Sequence, residues 1–195
     1  QSAGWDFVFR ISKIGKESVE GLVIEKIKND REPKFLLTLY QSILKKDNFE
    51  WILEKGAEIG VAKFVPMISS RSVKTHLNHT RARKVLKEAA EQSGRAIVPA
   101  LTREVDFDAA LQEAKAAGGL LVFAHEKEMA QKLDSLPLSS QMLHLFIGPE
   151  GGFSEEEAAK ARAAGGFAVS LSRRTLRAET AAIVASYFLL HRFGY

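Results

Sequence analysis

From Phe35 onward, short apolar runs alternate with longer stretches of helical spacing. This alternation restricts the fold more than any other feature of the 195-residue chain. The runs FLLTLY (35–40), AKFVPMI (62–68), LLVFA (120–124), LHLFI (143–147) and FAVSL (167–171) are brief and nearly continuous in apolar side chains. A strand buried on both faces needs that composition, because neither side meets water. Between and after them lie segments 48–60, 81–94, 106–119 and 179–193, and a further helix opening after Ser154. Gly60, Gly94 and Gly118-Gly119 stand where helices should stop, and Asp106 or Asp108 stands where one should start. Ser154 and Glu157 have the spacing of a capping box. The pattern predicts an α/β fold with a parallel sheet covered by helices on both faces.

The first residues follow a different rule. WDFVFRISKI and SVEGLVIEKI are β-rich runs separated by GKE, the signature of a hairpin in a small β module. Two strands alone are barely stable. KNDREPK (28–34) reads as a polar linker to the α/β part. The chain has no cysteine, which excludes disulfides, thiol nucleophiles and cysteine-zinc sites. The five histidines (76, 79, 125, 144, 191) show no metal-ligand spacing, so no metal is expected. No run approaches the ~20 apolar residues of a membrane helix. The N-terminus lacks a basic-then-apolar signal, so a cytoplasmic location and no membrane partner are expected. A net charge of +4 allows a nucleic-acid partner without requiring one.

Open parallel sheets bind ligands beyond the carboxyl ends of their strands. Three loops leave such ends: AHEKE, GPEGG and SRRTLRAET. In GPEGGFSEEE the glycines permit close approach of backbone to a ligand. They would serve equally in a tight strand-to-helix turn. No Gly-Lys-Ser/Thr follows, so this is not a Walker loop. The acidic helix start repels phosphate and favours a ligand with a positive or neutral group. Arg173, Arg174 and Arg177 crowd the last loop, with Glu179 close by as a partner for Arg177. The cluster suits RNA or substrate orientation, and it also suits a solvated basic loop. His125 and Glu126 follow a strand and could do acid–base work. No Gly-x-Ser-x-Gly is present, which argues against a serine hydrolase.

FIGPEGGFSEEE (146–157) and LSRRTLRAETA (171–181), in that order and at that separation, resemble the RsmE family. EKGAEIGV (54–61), SSRSV (69–73) and EAAEQSGR (88–95) extend the resemblance over most of 33–195. These are S-adenosylmethionine-dependent RNA methyltransferases of the SPOUT superfamily, acting on N3 of a uridine in 16S ribosomal RNA. The resemblance implies a SPOUT-type parallel sheet with a C-terminal trefoil knot over 33–195. It also implies a partial, N-terminally incomplete PUA-like β-barrel for RNA binding over 1–32. A homodimer joined through the knot region is implied, as is a substrate presented within the assembled small ribosomal subunit.

The resemblance also implies site roles. Gly148, Gly151 and Gly152 would give backbone contacts to the cofactor. Leu171 and Leu176 would flank its adenine, and Ala124, Ile147, Ser172 and Ala181 would line the pocket. Ser172 stands where the family usually has glycine. Arg177 would stabilise the anion developing on the uracil, with Glu179 holding its orientation. Glu150 is the nearest candidate base, though turn geometry explains it too. Arg71, Arg95, Arg173 and Arg174 would contact RNA. Two other readings stay open: a SPOUT enzyme acting on another rRNA or tRNA position, and a non-catalytic RNA-binding protein.

Overall fold

A computed structural model describes residues 4–45, 48–126, 133–137 and 140–194. Two sheets form. The first is an antiparallel hairpin of β1 (Trp5–Ile14) and β2 (Val19–Lys28), kinked by irregularities at Val8/Phe9 and Ile11/Lys13. The second is a seven-stranded parallel sheet. Its strands are β3 (Leu36–Ser42), β4 (Lys63–Ile68), β5 (Ala100–Leu101), β6 (Val105–Asp106), β7 (Leu120–Ala124), β8 (Met142–Ile147) and β9 (Phe167–Val169). The order is β5-β4-β3-β8-β7-β9, and β6 pairs with the far end of β4. Among the described residues, five α-helices cover it: α1 (Asn48–Ile59), α2 (His79–Gln92), α3 (Phe107–Ala117), α4 (Glu155–Ala163) and α5 (Ala178–Gly194).

Strand alternation sorts the core into two layers. Leu37, Leu39, Val122, Leu145 and Ile147 face one way and pack with α1, α2 and α5. Tyr40, Val65, Met67, Phe123 and Phe146 face the other way and pack with α3 and α4. Aromatic rings fill the second layer. Tyr40 stacks on Phe146 at 4.3 Å between centroids, and Phe107 meets Phe146 edge-on at 6.2 Å. Each fully buried ring or branched chain contributes about 1.5–3 kcal/mol by leaving water.

Local chemistry sets the helix starts. The Asn78 side chain accepts from Arg81 N, and Asp106, not Asp108, caps α3 by accepting from Ala109 N. Ser154 and Glu157 form both halves of the capping box on α4. The two-residue strands β5 and β6 carry no apolar run long enough to announce them; they exist as edge pairings on β4.

The hairpin is open on both faces, with Ile14 75% and Leu22 71% exposed. Its stem is not the solvated linker expected for 28–34. Asn29 is buried, its side chain donates to Asp6 and to the Gly94 carbonyl, and Glu32 binds Arg95. Asn29 and Glu32 thus serve specific bonds, while Lys28, Asp30, Arg31 and Lys34 are exposed. Among the described residues, no helix is long and apolar enough to cross a membrane.

Candidate active site

Because all the main-sheet strands run parallel, the loops after β3, β4, β7, β8 and β9 leave one edge of the sheet. The sequence reverses direction between β3 and β8, where the order passes from early to late strands. Ligand crevices form at such switch points.

The loop after β8 is a closed turn, with Gly152 N donating to Pro149 O at 2.8 Å. Its glycines do different work. A Cβ on Gly148 would meet Gly152 C at 3.1 Å and Phe153 N at 3.2 Å, so that position is packed against its own loop. Gly152 has φ +66° and nothing within 4 Å of a Cβ position. Its left-handed backbone therefore faces open space, where a ligand can lie against the main chain. Buried Phe153 anchors the turn in the second core layer.

Neighbouring loops are laced to this turn. Arg71 Nη1 donates to Gly151 O at 2.7 Å and to Phe153 O at 3.3 Å. Glu157 is buried, and its carboxylate accepts Ser70 N at 2.8 Å, Ser70 Oγ at 3.0 Å and Ser154 N at 2.8 Å. Lys45 N donates to Glu150 Oε1 at 3.3 Å. Ser42 and Ser69 share a buried hydroxyl contact of 3.1 Å. The bonds of Arg71, Glu157 and Glu150 are charge-assisted and contribute more than a neutral hydroxyl pair. Between β5 and β6, Glu104 accepts from His79 Nε2, at the start of α2, at 2.9 Å and from Leu77 N, just before it, at 2.8 Å. Burial would raise its pKa, but the bonds from His79 and Leu77 outweigh burial and hold it down to about 2.

On the other flank, His125 N donates to Val169 O at 3.0 Å, joining the loop after β7 to β9. Ala124, Ile147, Leu171, Leu176 and Ala181 all belong to the first apolar layer. Ala124 and Ile147 end β7 and β8, Leu171 and Leu176 lie in the loop after β9 and Ala181 is in the first turn of α5, so all five offer apolar surface on one core layer near the carboxyl edge, an apolar floor. Ser170 Oγ donates to Ser172 O, and Ser172 Oγ accepts from Arg174 N at 3.1 Å, so Ser172 shapes its own loop. Arg173, Arg174 and Arg177 are exposed beside it. Glu179 is buried in the first turn of α5. Among the described residues it makes no ion pair or hydrogen bond with Arg177, so the expected pairing is absent.

Arg95, expected at the RNA, is turned inward. Its side chain is 6% exposed and ion-paired with Glu32 at 2.7 Å. It also donates to Ala57 O and Val61 O, before β4 begins. It lies at the amino edge of the sheet, opposite the loops, with its guanidinium committed to the chain's own carboxylate and carbonyls. Arg71 is surface-lying, but one of its guanidinium nitrogens is committed to the glycine turn. The contacts of Lys45 with Glu150 and of Ser70 with Glu157 carry no sequence signal, because they join residues far apart in the chain.

Residues 31–190 match the RNA methyltransferase domain family. Ribosomal RNA small subunit methyltransferase E of Bacillus subtilis is 33% identical, over 93% of this chain and 76% of that protein. The crystal structure of the same-named enzyme from Neisseria gonorrhoeae, bound to S-adenosyl methionine, superposes with a TM-score of 0.91. It is 30% identical and covers 99% of this chain and 81% of that one. An Aquifex aeolicus tRNA-modifying enzyme of the TrmH/SpoU type shares the fold at 16% identity and TM-score 0.60, over 83% of this chain and 77% of that one. The glycine turn, the apolar floor and the arginine loop of this structure therefore sit in a chain that belongs to the ribosomal RNA small subunit methyltransferase E family.

Proposed function

We propose that the protein transfers a methyl group from S-adenosylmethionine to N3 of a uridine in small-subunit ribosomal RNA. The observation that carries this reading is the left-handed Gly152 backbone facing open space at the same carboxyl edge of the sheet as the apolar floor of Ala124, Ile147, Leu171 and Leu176. An adenine suits that floor, and main-chain groups suit the polar remainder of the cofactor. Bound there, S-adenosylmethionine supplies an electrophilic methyl on a sulfonium.

The chain's own residues do the rest. Uracil N3 must lose its proton before it can attack, and the charge then spreads over O2, N3 and O4. Arg177, exposed at the mouth of the loop, stabilises that charge. Glu150, exposed and held by Lys45 N, is the candidate to receive the proton. Arg173 and Arg174 offer phosphate contacts, which set affinity more than sequence choice.

The SPOUT trefoil knot is part of this reading. Its support is that α5 packs on β3 and β8 while Arg192 near its end donates to Leu133 O and Leu136 O, in the connection that precedes β8. The chain after β9 thus returns against an earlier crossing. A homodimer through the same helix is supported by a groove of about 340 Å³ whose apolar wall is Trp51, Ile59, Ile183 and Val184, with Lys55, Glu58 and Thr180 also lining it. The hairpin serves as part of a PUA-like RNA-binding unit, residues 1–32, joined to a methyltransferase unit, 33–195. Its apolar residues on both faces, interleaved with Arg10, Lys13, Lys26 and Lys28, support that role. Action in the cytoplasm on an assembled small subunit completes the reading.

Calorimetric titration with S-adenosylhomocysteine tests the cofactor site. Micromolar-range binding supports it, and no binding by the folded protein removes it.

A further inference from the structure

The segment EQSGR (91–95) closes α2 in a Schellman turn. Arg95 N returns to Ala90 O at 2.9 Å, while Gly94 takes φ +71°. That left-handed turn directs the Gly94 carbonyl at the hairpin stem. It accepts from Asn29 Nδ2 at 3.1 Å and from Arg31 Nη1 at 3.1 Å. A Cβ on Gly94 would collide with the Arg31 guanidinium.

Asn29 is the next link. Its amide also donates to both carboxylate oxygens of Asp6, at 3.0 and 3.1 Å, and its N–H donates to Gly4 O at 3.0 Å. Both strands of the hairpin are therefore gripped at their base. Glu32 forms the second anchor. Its carboxylate accepts from Arg95 Nη2 at 2.7 Å, from Arg95 Nε, from Ala96 N at 3.1 Å and from Ile97 N at 3.2 Å. Arg95 Nη1 carries the connection into the α/β layer through Ala57 O at 3.0 Å and Val61 O at 2.7 Å. The hairpin strands themselves are exposed, so this polar network, rather than an apolar interface, fixes how the hairpin leaves the α/β layer.

We propose that the Gly94-Arg95 turn, with Asn29 and Glu32, is a socket that sets the angle of the N-terminal hairpin and so positions RNA for methylation. Arg95 is a positioning residue here, not an RNA contact. The socket lies at the amino edge of the sheet, while the glycine turn lies at the carboxyl edge. Ten-residue strands reach about 33 Å from their base at ~3.3 Å per residue. A tilt of about 10° at the socket moves the hairpin tip by roughly 6 Å over that length. Misplacement on a far smaller scale already costs about 100-fold in rate when it reaches the reacting atoms.

The RNA-positioning half of the proposal rests on the methyltransferase reading; the socket itself does not. The absence of cysteine permits clean two-site spin labelling at Ser12→Cys and Lys84→Cys. In the unmodified socket the label distance is narrowly distributed. Glu32→Ala and, separately, Arg95→Ala each broaden it. Each also lowers kcat/KM for small-subunit rRNA about tenfold, through KM, and leaves S-adenosylhomocysteine affinity unchanged within about twofold. The two variants give opposite signs under the competing assignment. Were Arg95 an RNA contact, removing its acidic partner would strengthen RNA binding. Tighter RNA binding by Glu32→Ala, or an unchanged distance distribution in both variants, overturns the socket. Should the parent chain bind no cofactor and methylate nothing, the functional reading falls, and the label distances still decide whether the socket sets the angle.

Discussion

The guanidinium of Arg71 donates to the carbonyl of Gly151 at 2.7 Å, tying the loop after β4 to the glycine turn after β8. The same side chain packs its stem near Gly151, 3.4 Å from a Cβ position there. Arg71 is thus placed to hold the cofactor loop in shape. Arg71→Ala is expected to weaken S-adenosylhomocysteine binding about tenfold, roughly the value of one charge-assisted bond. Calorimetry on the variant checks it. Weakened RNA binding with intact cofactor affinity would make Arg71 an RNA contact instead.

The two glycines flanking the turn should separate by mutation. Gly148→Ala forces a methyl against Gly152 and Phe153 backbone, and is expected to lower stability by about 1–3 kcal/mol. Gly152→Asn keeps the left-handed backbone, which asparagine tolerates, and puts its side chain into the open space. It should fold normally and lose cofactor binding. Thermal unfolding and calorimetry on both variants distinguish the outcomes.

Arg177 is exposed and, among the described residues, free of any bond to Glu179. Arg177→Ala should therefore leave cofactor affinity intact and lower kcat by about 100-fold or more, the scale of losing one group that stabilises a developing anion. Equal loss of cofactor binding and rate would show that Arg177 shapes the pocket rather than the transition state.

Acid stability should report on His144. It is buried in β8, its Nε2 donates to Gly118 O at 2.7 Å, and burial pushes its pKa below the ordinary histidine range. Its folded pKa lies below the unfolded value of about 6.5, so its stabilising contribution is present above that pH. It is lost as pH falls through the folded value. Glu104 adds a second loss at lower pH, between its ordinary carboxylate range and about 2. His144→Gln should flatten the first decline in denaturant midpoint against pH and leave the second.

The alternation of buried strands and helices, the capping box at Ser154 and the hairpin at 5–28 were legible because each is a local pattern. The glycine turn and the arginine loop were legible as a pair of motifs. The role of Arg95 was not. Its partners, Glu32, Ala57 and Val61, are brought to it by the fold and leave no spacing to read. The same holds for Ser70 on Glu157. A polar stretch such as 28–34 reads as a linker in sequence, and only the fold reveals that Asn29, Arg31 and Glu32 bond to residues 94–97.

Nucleoside mass spectrometry of small ribosomal subunits incubated with the protein and isotopically labelled S-adenosylmethionine tests the central claim most directly. The expected result is label in 3-methyluridine of the small-subunit rRNA, lost with Gly152→Asn. Label in another nucleoside, or none with a folded, cofactor-binding protein, would contradict it.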